Sequence, residues 1–156
     1  MLFDWFLKGA ENCMISEFRG KYYFLSNFYS SPIYYRGMTF QNAEAAFHSQ
    51  KDLARAAEFT RLNPSEAKRL GRRVRLRCDW EDVKDGIMFE VVMAKFGGSQ
   101  TLTDVLLATG NKKLVEGNTW GDRYWGVCDG RGLNKLGDIL ERVRENLRML
   151  RAESKA

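Results

Sequence analysis

Leu136, Ile139, Leu140, Val143, Leu147 and Leu150 recur at intervals of three and four residues. That period fits a helix of 3.6 residues per turn and excludes a strand, whose faces alternate every second residue. The spacing predicts a helix from about Asn134 to Leu150, with Asn134 as its cap. Its apolar stripe needs a partner surface, so the rest of the chain must supply a core.

Other segments carry helix signals of the same kind. Asn63-Pro64-Ser65-Glu66 places a capping residue, a proline at the first helical position and a glutamate three residues past the cap. That helix should end near Gly71. "DWEDVKDGIMFEVVMAKF" repeats Val83, Ile87 and Val91 behind a capping Asp79 or Asp82. "SQTLTDVLLATG" has a cap at Ser99 or Thr101 and a stop at Gly110. A further helix is expected from about Phe40 into the early 60s, broken near Asp52. Residues 20 to 39 are rich in Tyr and Phe and read as short strands, with a hairpin around "YYRGM". The expected fold is therefore α+β and predominantly helical, a compact single domain with a few short β-strands.

The chain has 156 residues, of which 44% are hydrophobic, enough for one core. No Ser/Gly linker or repeat divides it. Residues 1–13 read as an N-terminal extension and 14–156 as the domain. No apolar run approaches the roughly 20 residues of a membrane span, and the start lacks a signal-peptide pattern. Cys13, Cys78 and Cys128 are far apart, and His48 is the single histidine. This spacing argues against a zinc cluster. Free thiols in a reducing cytoplasm are the plain expectation. No Walker loop and no dinucleotide fingerprint stands out, so no cofactor is implied.

Glu44 is the anomaly. Phe40, Glu44, Phe47 and Lys51 fall at i, i+4, i+7 and i+11, one face of the expected helix. A carboxylate on an apolar face must be paired or shifted in pKa. It is either half of a buried bridge that holds the fold or an acid–base group facing a cleft. Lys51 is a surface amine, a cation for a phosphate, or a nucleophile toward a sugar C1.

Two other stretches carry chemistry. Residues 118 to 137 hold two Trp and five Gly. Trp120 and Trp125 flank Asp122 there, and both stacking on a base and plain core packing fit. Residues 68 to 77, "KRLGRRVRLR", carry six Lys/Arg in ten positions, a phosphate patch or a solvated helix end. Asn27, in "LSNF", reads as a turn residue. With one histidine in the chain, acid–base work falls mainly to carboxylates. Two carboxylates beside a sugar carbon is the usual solution for glycoside cleavage, and Glu44 and Asp122 are the candidate pair.

The ordered motifs "FLSNFYSSPI…GMTFQNAEAAFHSQK", "GRR…DWEDVK…AKF" and "LLATGNKKLVEGN…DRYWG…GLNKLGDILERVR" resemble the NADAR family, the YbiA-like domains. The match runs from about Phe18 to Leu147. The resemblance implies a mostly helical fold and an N-glycosidase that cuts a ribose C1–N bond. It implies two substrate kinds: ADP-ribose on guanine in nucleic acid, or ribosylamino-pyrimidine intermediates of riboflavin synthesis. On this likeness Glu44, Asp122 and Lys51 would be catalytic. On the same likeness Trp80 and Trp125 would contact substrate; Asn27, Gln50, Gly126 and Arg72 are further candidate substrate contacts. Ala45 and His48 stand where many relatives have His and Gln. The expected partner is ADP-ribosylated nucleic acid or a ribosylated small molecule, with no membrane. A module that binds such ligands without cleaving them is the competing class.

Overall fold

The computed structural model describes residues 13–156. Almost all of the expected extension, 1–12, lies outside the described residues. The fold is α+β and predominantly helical, with short strands in three two-stranded pairings among the described residues. Its packing divides into two units, Asn27–Leu102 and residues 13–26 with Thr103–Ala156.

Within Asn27–Leu102, β2 (Ser30–Tyr35) and β3 (Met38–Asn42) form an antiparallel hairpin. Arg36 and Gly37 make its turn, both at positive φ (47° and 81°), the signature of a tight primed turn. The register shifts between Ser30 and Ile33, and Pro32 sits in that irregularity, where no ladder N–H is required. Phe40 belongs to β3, paired with Ile33, and not to the helix expected from its spacing. The helix α1 spans only Ala43–Ser49. Asn42 ends the strand and caps the helix, its side chain accepting the Ala45 N–H at 2.7 Å. Tighter 3-10 turns follow at Leu53–Arg61.

The helix α2 (Pro64–Gly71) starts as its sequence predicts. Asn63 and Glu66 form a reciprocal capping box. α3 (Trp80–Gly97) follows, but Asp79 makes no capping bond from its side chain; its carboxylate takes the Arg77 guanidinium at 2.8 Å. Phe40, Phe59, Met88, Val91 and Phe96 are fully buried or nearly so. Lys95 is buried among them, its ammonium over the Tyr29 and Phe96 rings, and burial pushes its pKa down to about 7. The Ser99 hydroxyl accepts the Leu102 N–H at the start of α4 (Gln100–Leu107).

In the other unit, β1 (Met14–Ile15) pairs in parallel with β4 (Lys113–Leu114), and β5 (Gly117–Asn118) with β6 (Val127–Cys128). The last helix, α5, spans Lys135–Glu153. Leu136, Ile139, Leu140, Val143 and Leu147 of its stripe are buried, while Leu150 is about half exposed. Asn134 is not the expected side-chain cap. It sits at positive φ (54°), and its amide bridges backbone groups, accepting the Glu116 N–H and donating to the Leu114 carbonyl. No helix among the described residues is long and apolar enough to cross a membrane.

Candidate active site

Glu44 is the second residue of α1. Three contacts fix that turn. Asn42 caps it, the Asn27 carbonyl accepts the Glu44 N–H at 3.1 Å, and the Asn27 amide in turn reaches the Met88 sulfur at 3.3 Å. Asn27, a candidate substrate contact, thus orients the backbone that carries Glu44. The Glu44 side chain is 12% exposed. Its Oε1 lies 2.9 Å from His48 Nε2, one helical turn further on. The direct hydrogen-bond partner of Glu44 is thus a histidine, which the i, i+4 spacing offers.

Lys51 follows the end of α1. Its backbone carbonyl accepts the Arg77 N–H at 2.9 Å, tying it to the segment that leads into α3. Its Nζ lies 5.5 Å from the centre of the Trp80 ring and makes a long, 3.4 Å contact to the Gly71 carbonyl. Burial pushes its pKa down, Glu44 pulls it back up, and Arg72 and Lys68 push it down again. One carboxylate and three cations therefore share an electrostatic neighbourhood. Arg72 is exposed and Lys68 half-buried, so both have charge to offer a ligand.

Trp80 is 6% exposed and packs on Phe47 with ring centres 5.1 Å apart. With Lys51 over its ring, it serves as the floor beneath the ammonium, a cation–π contact. Gln50 is buried and committed at both ends. Its Oε1 accepts Arg36 Nη1 at 2.9 Å and its Nε2 donates to the Ser49 hydroxyl. Arg36 also reaches Glu90 at 2.9 Å, which links the hairpin turn, α1 and α3. Nothing in the sequence pointed to Arg36.

The glycine-rich loop belongs to the other unit. Asp122 Oδ1 accepts both the Tyr124 and the Trp125 N–H, at 3.0 and 2.9 Å. Asn118 closes the same turn, accepting the Asp122 N–H and donating to its carbonyl. Trp125 is half-buried and meets Tyr124 edge-on, with ring centres 4.9 Å apart. Trp120 is exposed. Gly126 is required by its own loop: a Cβ there would lie 2.3 Å from the Glu116 carbonyl oxygen. Thus Glu44, Lys51, Trp80 and Arg72 form one cluster, and Asp122, Trp125 and Gly126 form one turn.

The NADAR domain model matches residues 13–148. The chain belongs to the NADAR family. It is 41% identical over 128 residues to the N-glycosidase YbiA of Escherichia coli, covering 78% of this chain and 79% of that protein. The NMR structure of E. coli YbiA superposes with a TM-score of 0.81 at 37% identity, covering 91% of this chain and 89% of that one. A riboflavin biosynthesis protein of Vibrio vulnificus is 36% identical over 80% of this chain but only 35% of its own length. Within this NADAR domain, Glu44 and Lys51 both belong to the cluster built above.

Proposed function

We propose that this hydrolase of N-glycosyl bonds removes ADP-ribose from guanine in nucleic acid by cutting the ribose C1–N bond, with Glu44 as its acid–base carboxylate. The observation that supports this most is the largely buried carboxylate, held by His48 and balanced by Lys51, with Lys68 and Arg72 close enough to perturb that lysine. A buried carboxylate beside a reserve of cations suits a sugar that turns cationic at C1 while carrying anionic phosphates. The exposed Arg69, Arg72, Arg73 and Arg75 extend the positive surface toward a polyanion.

In this mechanism the C1–N bond breaks through an oxocarbenium-like state that the Glu44 charge stabilises. Water attacks C1, Glu44 takes its proton, and that proton leaves on the departing nitrogen. Lys51 and the neighbouring cations hold the phosphates. Asp122 in this reading holds the turn that presents Trp125, because one oxygen already accepts two backbone N–H groups. Asp122→Asn keeps an acceptor there, so it should retain turnover within about threefold, whereas Asp122→Ala should lose the turn and with it far more activity. Equal, severe loss in both variants, each still folded, would instead make the charge of Asp122 catalytic.

A second reading has its own support: the kinship with a riboflavin biosynthesis protein favours ribosylamino-pyrimidine phosphates as substrate. Both readings need phosphate contacts. Reversing Lys68 and Arg72 to Glu should raise KM at least tenfold with little change in kcat, and an unchanged KM would leave these side chains as a solvated face. Hydrolysis in ¹⁸O water tests the bond cleaved. The label should appear on ribose C1 and the base should leave unlabelled; label on a phosphate would contradict C1–N cleavage.

A further inference from the structure

His48 is the chain's single histidine, and its two ring nitrogens have unequal surroundings. Nε2 lies 2.9 Å from Glu44 Oε1. Nδ1 is buried without a hydrogen-bond partner. It faces the backbone of Gly71, where even an added Cβ would come within 2.4 Å of Nδ1. The ring is further held edge-on by Phe47, with centres 5.4 Å apart.

This surrounding selects a tautomer. A proton on Nδ1 would be a buried N–H with no acceptor, which costs more than a bare lone pair. A proton on Nε2 points at a carboxylate oxygen. The hydrogen bond at one nitrogen thereby fixes the state of the other.

We infer that His48 is a positioning residue for the reaction, an Nε2–H donor that holds the Glu44 carboxylate in one rotamer, with Gly71 providing the close backbone wall that keeps the ring in place. The inference rests on the reading of Glu44 as the acid–base group. Lys51, flanked by Lys68 and Arg72, is a charge coupled to that carboxylate, so His48 sets its direction while Lys51 balances its charge.

The test joins spectroscopy to kinetics on the full chain. With one histidine, long-range ¹H–¹⁵N spectra report one ring. The expected pattern is a protonated Nε2 and a bare Nδ1; the opposite tautomer would overturn the inference outright. His48→Leu should lower kcat about 10- to 100-fold, the size of one hydrogen bond to a charged group, with KM within twofold. His48→Gln, whose amide can donate from nearly the same place, should recover most of that loss. Equal loss in both variants would reduce the ring to a packing element and sink the positioning role. If Glu44→Gln keeps full rate while the tautomer stands, the catalytic reading of Glu44 fails and the His48–Glu44 contact is purely structural.

Discussion

Glu44→Gln lowers kcat by about 100-fold or more, the usual contribution of a positioned acid–base group. The substitution suits the site. A glutamine keeps the shape of the side chain and an oxygen for His48 Nε2 to donate to, so α1 and its contacts should survive. It removes the negative charge that, in the proposed mechanism, steadies a cationic C1, and the basicity that takes a proton from water. KM should change little, because the proposed phosphate contacts lie on other residues. A thermal unfolding curve separates the two roles of this carboxylate. If Glu44 served only as half of a buried pair, Glu44→Gln would cost stability and leave kcat untouched. The expected result is the reverse.

Lys51→Met lowers kcat/KM by about 100-fold, mostly through KM. Methionine keeps the unbranched stem that packs toward Trp80. It removes the ammonium held over the Trp80 ring, near the Gly71 carbonyl and coupled to Glu44. Losing one member of a partly buried charge set leaves Glu44 less well balanced, and in the proposed mechanism it takes an enclosed cation away from a substrate phosphate. The Trp80 ring and the Glu44 charge favour the charged form of Lys51, while burial lowers its pKa toward the neutral amine that a nucleophile needs. The proposed direct hydrolysis assigns Lys51 the electrostatic role. Borohydride added during turnover should therefore trap no covalent adduct. A Lys51-linked ribose in the mass spectrum would replace direct hydrolysis with a Schiff-base route.

Much of this was legible in the residues, where the signal was local. The capping box at Asn63 and Glu66 and the apolar stripe of α5 are short-range patterns, and both stand in the structure. Glu44 on a helix beside apolar neighbours was legible for the same reason. The error at Phe40 has a tertiary cause. Its spacing to Glu44 extends a helical period backward, but pairing with Ile33 in the hairpin takes the residue into a strand. Asn134 misled similarly: its amide is engaged by Glu116 and Leu114, contacts that no local pattern announces. The His48 partner of Glu44 lay in plain view at i, i+4. The Arg36–Gln50 tether did not, since it depends on how the hairpin turn meets α1.

The most direct measurement offers purified protein, and its Glu44→Gln variant, guanine-ADP-ribosylated DNA in one reaction and a ribosylamino-pyrimidine phosphate in the other, with products read by mass spectrometry. The account predicts release of free ADP-ribose by the unaltered protein, leaving unmodified guanine in the DNA, with the variant slower by about 100-fold or more. Turnover of the pyrimidine alone would keep the chemistry and change the substrate. An inert protein in both reactions, or a Glu44→Gln variant as fast as its parent, would contradict the central claim that this carboxylate cleaves a ribose C1–N bond.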